Sequence, residues 1–395
     1  MPDTRDDIER RRLAVAEAST ALRSAPLERR GEWLANAAIE LSRTSGAMDK
    51  ELAESTGLSE PMVGWGLQTT LETVDVHTLG ALASEAAAAR KVPLPWLPLI
   101  LAGNLFTASV RGVFVPLLLG VPVLAKASSR EILFPQLLRD ALVAVDPELA
   151  TAFDVVDFRG GDARLENELV GDAGTIAVYG SDETVAAVRR RHPSTRVIAH
   201  GHGVSLAYAG GGALDATHTV RAFAVDVAAY DQRGCLSPQA MYVQGNRADA
   251  EAFGEQLARD GLEPLSETLP RGPLPLDVGA RQAQWRGLAE VEGRVFQGDD
   301  FAVAIVDRTA LRWSPGYRNV SVVPVESFET ALEAWTALGA TLKCVGVDPA
   351  SLDSSAAALA RARSLSAHAC PLGSMQKPEL DAPVDGKRPW YGLLG

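Results

Sequence analysis

The sequence predicts an α/β fold built on parallel, doubly wound sheets, and three observations carry the prediction. Apolar runs of strand length recur from residue 97 onward, helical segments separate them, and 35 Gly and 23 Pro supply the turns between. Strands that alternate with helices pack as a parallel sheet with both faces covered. A chain of 395 residues has room for two or three domains of about 150 residues each.

The elements follow in order. Apolar positions recur at three and four through "RRLAVAEASTALRSAPLERRGEWLANAAIELSRTSG" and "LQTTLETVDVHTLGALASEAAAA", so residues 1–90 are expected to pack as one helical layer. Strand-length runs come next: "WLPLILAG", "VPVLAKAS", "FDVVDFRG", "GTIAVYGS" and "TRVIAHGHG". After Gly203 a second series appears in "VSLAYAG", "AMYVQG", "FAVAIVD", "NVSVVPVES" and "LKCVGVD", with helices in "ATHTVRAFAVDVAAY" and "FETALEAWTALG". Flexible punctuation in "HGHG" and "GGG" marks the change of unit near residues 200–212. The expected division is helices plus a Rossmann-like nucleotide-binding domain over 1–203, a second α/β domain bearing the thiol over 204–370, and a C-terminal segment over 371–395.

Composition narrows the function. A net charge of -12 argues against a nucleic-acid surface, which needs a basic stripe. The opening "MPDTRDDIERRR" has no apolar h-region, and cysteines at 235, 344 and 370 make no paired framework; a reducing, cytoplasmic setting is the expectation. One stretch tests it. Val92 to Val110 carries no charge over 19 residues, long enough for a membrane span. Three prolines in that stretch make a buried strand, turn and helix the better reading.

Five short elements bear on chemistry. "IAVYGSDETVAAVRRR" places Gly180 and Ser181 between a strand and a helix start, where free N–H groups suit a phosphate, although Ser there is equally a plain cap. Asn104 follows a strand in "LAGNLF", and Lys126 ends the next one in "VLAKASSRE". "VIAHGHGVSLAY" carries His200, His202 and Gly203 across the change of unit. Cys235 then lies in "DQRGCLSP", outside any apolar run, as a turn thiol suited to nucleophilic work. Cys344, inside "LKCVGV", reads as a small buried hydrophobe, and Cys370 leans the same way. No metal site is expected. The run "VRRRHPSTR", with Arg189, Arg190, Arg191 and Arg196, reads as a solvated helix face in preference to a contact for coenzyme A phosphates.

In order and spacing these five elements resemble the aldehyde dehydrogenase superfamily over nearly the whole chain. Within it, "YDQRGCLSPQAMYV" and "CPLGSMQKPELDAPVDGKRPW" are most similar to the acyl-CoA reductases of the fatty-acid reductase system of bacterial bioluminescence. The resemblance implies Cys235 as nucleophile and Asn104 as oxyanion donor. It also implies Lys126, Ser128 and Ser129 at the adenosine ribose, and Gly180, Ser181 and Gly203 along the cofactor. Superfamily members that hydrolyse their thioester place a Glu at the crossover, where this chain has His200; that loss points to acyl transfer and reduction in place of hydrolysis. His200 or His202 is a candidate base for Cys235, against the plainer reading of a histidine bonded within the crossover. The superfamily's nicotinamide-side Glu has only "RVFQGDDFAV" as counterpart, with no Glu in register before Gly298.

The activity implied is NAD(P)H-dependent reduction of a medium- or long-chain fatty acyl-CoA, or another acyl thioester, to aldehyde. NADPH is the expected cofactor, with NADH second, because Ser129 stands where NAD-selective members place a Glu. An acyl-transferring protein and a second copy of the chain are the implied partners. The alternatives are an oxidising aldehyde dehydrogenase and a catalytically silent subunit of an acyl-transfer complex.

Overall fold

The computed structural model describes residues 2–210, 216–337, 342–348, 356–364 and 368–395. Two sheets organise them. The first holds β1 (Leu97–Ile100), β2 (Val123–Lys126), β3 (Phe153–Val156), β4 (Thr175–Tyr179) and β5 (Arg196–His200). Its order is β3-β2-β1-β4-β5, with every pair parallel. The second holds β6 (Val204–Ala209), β7 (Pro238–Gln244), β8 (Arg294–Gln297), β9 (Ala302–Ile305), β10 (Asn319–Val325), β11 (Leu342–Val347) and β12 (His368–Pro371). Its order is β12-β11-β6-β7-β10-β9-β8, and only the edge pair β8 and β9 runs antiparallel.

A strand covered on both faces reads as an unbroken apolar run, and Val123, Leu124 and Ala125 of β2 are all fully buried. Val123 and Ala125 pack in the core shared with the helices Leu27–Ser45, Ala108–Leu118 and Leu133–Val145. Leu124 and Val156 face the other way, onto Ile8 and Val15 of the helix Arg5–Glu17. Residues 1–90 therefore do not form the single layer expected of them. A parallel sheet has two apolar faces, and the first helix crosses over to close the second one. Thr4 fixes its start through a reciprocal capping box with Asp7.

The uncharged stretch 92–110 resolves into β1, a bend and the start of the helix Ala108–Leu118. That helix buries Val110, Val113, Phe114 and Leu117 completely, each contributing roughly 1.5–3 kcal/mol. Among the described residues no helix is long and apolar enough to cross a membrane. "HGHG" joins β5 to β6 directly, while 211–215, with most of "GGG", lie outside the described residues.

The C-terminal segment straps the two sheets together. Leu372 and Met375 join the core of the second sheet, where buried Asp226 accepts the N–H groups of Gly373 and Met375 at 2.6 and 3.0 Å. Burial pushes that carboxyl up to about 7. The chain then returns, and Leu380, Leu393 and Leu394 join the core of the first sheet.

Candidate active site

The nucleophile loop forms where the end of β1 meets the beginnings of β6 and β7. The helix Ala216–Ala228 stops at a turn in which Tyr230, Asp231 and Gln232 all take left-handed backbone angles, with φ of 51, 53 and 57°. Three such residues in a row store about 1–3 kcal/mol each and persist only when their surroundings over-determine them. The surroundings do so. The buried Asp231 carboxylate receives Arg318 Nη2 at 3.0 Å and the N–H of Gly272 at 3.0 Å. Its carbonyl accepts Tyr317 N–H at 2.9 Å, and Gln232 Nε2 donates to the Pro238 carbonyl at 2.8 Å. Thr107 donates to the Tyr230 hydroxyl at 3.1 Å, which ties the turn to the segment after Asn104.

Asn104 and Cys235, separated by 131 positions in the chain, are brought together on this loop. Asn104 Nδ2 donates to the Arg233 carbonyl at 3.1 Å, and Ser205 Oγ donates to the carbonyl of Cys235 itself at 2.8 Å. Cys235 is exposed, yet protein packed around its crevice raises the thiol through desolvation, with the Lys343 ammonium opposing and the Asp385 carboxylate adding to the rise. Beside Gly234, Ser237 Oγ and Gln376 Nε2 are buried without a hydrogen-bond partner, unspent polar groups next to the nucleophile.

Lys343 enters from β11. Its stem lies across Gly203, where a Cβ would collide with Cγ, Cδ and Cε of the lysine, and its ammonium meets Asp385 at 2.6 Å. Gly203 therefore allows the close approach of a cation to the site.

His200 stacks on Tyr179 with ring centroids 4.2 Å apart. Burial, followed by opposing effects of Asp385 and nearby cations, presses its pKa down to about 4. The ring is neutral near pH 7 and a feeble proton acceptor. His202 is exposed, and its backbone N–H goes to Asp182 Oδ1 at 3.2 Å. A stacked, neutral His200 is poorly suited to act as a base, and the crossover holds His202 through its backbone.

On the nucleotide side, the first sheet changes direction between β1 and β4, the crevice where parallel α/β sheets bind ligands. Lys126 ends β2, is buried, and lies 5.4 Å from the Phe158 ring centre; burial lowers its pKa. Gly180 N–H donates to the His200 carbonyl at 3.3 Å, and Ser181 Oγ caps Thr184 N–H at 3.2 Å. Ser128 Oγ accepts Arg130 N–H at 3.2 Å, while Ser129 is exposed. Buried Glu131 caps the next helix, accepting Phe134 N–H at 2.7 Å. The serines do not perform that capping. The crevice, lysine and helix start fit a nicotinamide nucleotide.

Three placements escaped the sequence. Lys343, in the strand run "LKCVGVD", and Asp385, in the tail "CPLGSMQKPELDAPVDGKRPW", drew no chemical reading because their pairing is not local in the chain. The turn 298–301 meets the nucleophile loop through Arg318, which bridges Asp300 and Asp231, and residues 314–319, at the head of β10, pack on the loop itself, with Ser314 Oγ 3.5 Å from Gln232 Oε1. The arginine run divides: Arg191 is spent on Glu166 through two bonds of 2.7 and 2.6 Å, while Arg189 and Arg196 line a cavity of about 220 Å³. Cys344 is a buried core residue as expected, its Sγ 3.6 Å from that of Cys370.

A fold of this kind recurs in known proteins. The NADP complex of glyceraldehyde-3-phosphate dehydrogenase GapN from Methanocaldococcus jannaschii superposes with a TM-score of 0.73 at 14% identity, covering 94% of this chain and 86% of that one. Aldehyde dehydrogenase 21 from Physcomitrella patens gives 0.75 at 17% identity, covering 98% and 86%. At such identities the likeness is one of fold, that of the aldehyde dehydrogenases. The long-chain acyl-protein thioester reductase of Photorhabdus laumondii is 27% identical over 152 residues, 38% of this chain and 32% of that protein. The chain thus spans about a third of that relative's length. The family model described as Acyl-CoA reductase (LuxC) matches residues 83–394, a stretch that takes in Asn104, Lys126, the crossover, Cys235 and the C-terminal strap, and the chain belongs to that family.

Proposed function

We propose that this protein reduces an acyl thioester to an aldehyde through an acyl thioester on Cys235, with NADPH as reductant. The observation that carries the reading is an exposed thiol on an over-determined loop, held against Asn104 in the crevice between the sheets. The Cys235 thiolate attacks the thioester carbonyl carbon; a new C–S bond forms, and the donor sulfur departs and takes up a proton. Asn104 Nδ2 and the backbone N–H of Cys235 stabilise the oxyanion. Lys343 favours the thiolate and is a proton source near the departing sulfur. A nicotinamide nucleotide held by Lys126 and the Gly180–Ser181 helix start would supply the hydride that reduces the acyl carbon. Cys235 sulfur then leaves as thiolate, and the aldehyde is free.

Water has little help here. His200 is neutral and stacked, and Asp385 is occupied by Lys343, so neither is free to activate water, and reduction outruns hydrolysis of the acyl enzyme. Support for NADPH comes from Ser129 and Arg130, which are exposed beyond Lys126, while Glu131 is committed to its cap; a 2′-phosphate gains charge-assisted bonds there. This reading keeps the division at 1–203, 204–370 and 371–395, a fatty acyl-CoA or acyl-protein donor, and a homo-oligomer.

The test is intact mass after mixing with decanoyl-CoA and no nucleotide. An acyl adduct is expected on the wild type and on the Cys344→Ala and Cys370→Ala variants. An adduct of equal yield on Cys235→Ala overturns the assignment.

A further inference from the structure

One cavity of this molecule has a charge pattern the proposed reaction does not use. It lies between the helix Ala108–Leu118, the β4–β5 edge and the C-terminal strap. Aliphatic side chains make its walls, among them Leu97, Val115, Val197 and Leu393. Its inner end holds Tyr179, His200 and Asp385; Asp385 pairs with Lys343 at 2.6 Å, and Tyr179, Asp385 and Lys343 act electrostatically with Cys235. The opposite end carries Arg189 and Arg196; Lys387 reaches over Tyr391 from the wall and acts on His200 as well, as does Arg111 beside it.

Arg189, Arg196 and Lys387 line one cavity. Acids outnumber bases by 50 to 38, yet among the described residues none of the three forms an ion pair. Arg388 beside them does, with Glu85 at 2.8 Å, and Asp385 is spent on Lys343. Arg196 and Lys387 instead crowd one ring, 5.0 and 4.7 Å from the centre of Tyr391. Like charges held this close without a counter-charge cost free energy, and an anion arriving between them recovers it.

We infer that the cavity takes an acyl chain ending in a carboxylate, with Arg189, Arg196 and Lys387 receiving the far carboxylate while the thioester end reaches Cys235. The inference rests on the proposed reductase reading and names its substrate class. Four residue steps along β5 take the chain from Arg196 to His200, which at a strand rise of about 3.3 Å sets their backbones roughly 13 Å apart. That span suits a medium-length dicarboxylic chain. A plain fatty chain would push its methyl end among the cations. The phosphopantetheine arm of a carrier fits less well, because its two amides would lie unpaired against aliphatic walls.

The experiment compares the mono-coenzyme A thioester of decanedioic acid with decanoyl-CoA, and free decanedioate with free decanoate by calorimetry. Wild type should favour the carboxylate-ended thioester in kcat/KM by roughly five- to tenfold, the size expected of two or three half-exposed ion pairs. Arg196→Gln with Lys387→Gln should bring the ratio near one, and Arg196→Lys should keep part of it. Decanedioate should bind more tightly than decanoate, and the double variant should lose the difference. Equal ratios in wild type and double variant overturn the inference. So does a rise in KM of equal size for both thioesters, which would assign the cations to the carrier's phosphates. If neither thioester acylates Cys235 while decanedioate still binds through Arg196, the anion site stands and the reductase reading falls.

Discussion

Asn104 Nδ2 donates to the carbonyl of Arg233 at 3.1 Å, two residues before Cys235. One bond thereby ties the bend after β1 to the nucleophile loop before β7, across the crevice between the sheets. The amide group is already aimed at the loop where negative charge develops, and it keeps a second N–H for the oxyanion.

That geometry sets the first expectation. Asn104→Ala should lower turnover by about 10²- to 10³-fold, the usual loss for one oxyanion donor, while nucleotide affinity stays as it was. Single-turnover reduction of a preformed acyl enzyme measures the step directly. An unchanged turnover number returns Asn104 to the role of a turn former.

Lys343 and Asp385 act on Cys235 with opposite signs. The ammonium stabilises the thiolate and the carboxylate destabilises it, against a background in which desolvation already raises the thiol. Removing the cation in Lys343→Met should move the pH midpoint of Cys235 alkylation upward and slow alkylation at pH 7. Asp385→Asn removes the opposing charge and should move the midpoint downward. Shifts in the same direction for both variants would mean that the pair only braces the strap.

Arg318 bridges Asp231 and Asp300 at 3.0 and 2.9 Å in a fully buried position. Breaking a buried pair from one side leaves a charge uncompensated and costs about 3–5 kcal/mol. Arg318→Met should lower the midpoint of chemical denaturation accordingly and release the left-handed turn at 230–232. Asp300→Asn, which leaves the Asp231 contact, should cost much less. Equal losses would show that the outer carboxylate matters as much as the turn.

Cofactor choice turns on the end of β2. With Ser129 exposed and Glu131 committed to its helix cap, kcat/KM should favour NADPH over NADH. Ser129→Glu places a carboxylate near the 2′-phosphate and should reverse or erase the preference. A ratio that does not move removes Ser129 from the cofactor site.

Much of this protein is written locally. Continuous apolar runs such as "VPVLAKAS" declare strands covered on both faces, and an isolated thiol in "DQRGCLSP" declares a residue outside the core, because burial and periodicity leave their mark on neighbours in the chain. Asn104, Lys126, the crossover and Cys235 were legible for that reason, and for their likeness in order to a known superfamily. Tertiary structure decided what depends on contacts between distant segments. It sent the helix Arg5–Glu17 to the far face of the sheet, because two apolar faces needed cover. It brought Lys343 past Gly203 to Asp385, set Arg318 under the left-handed turn, and lowered His200 to a neutral ring. No period or motif marks these contacts. A charge acts through space on whatever the fold sets beside it, and desolvation depends on atoms that packing alone supplies.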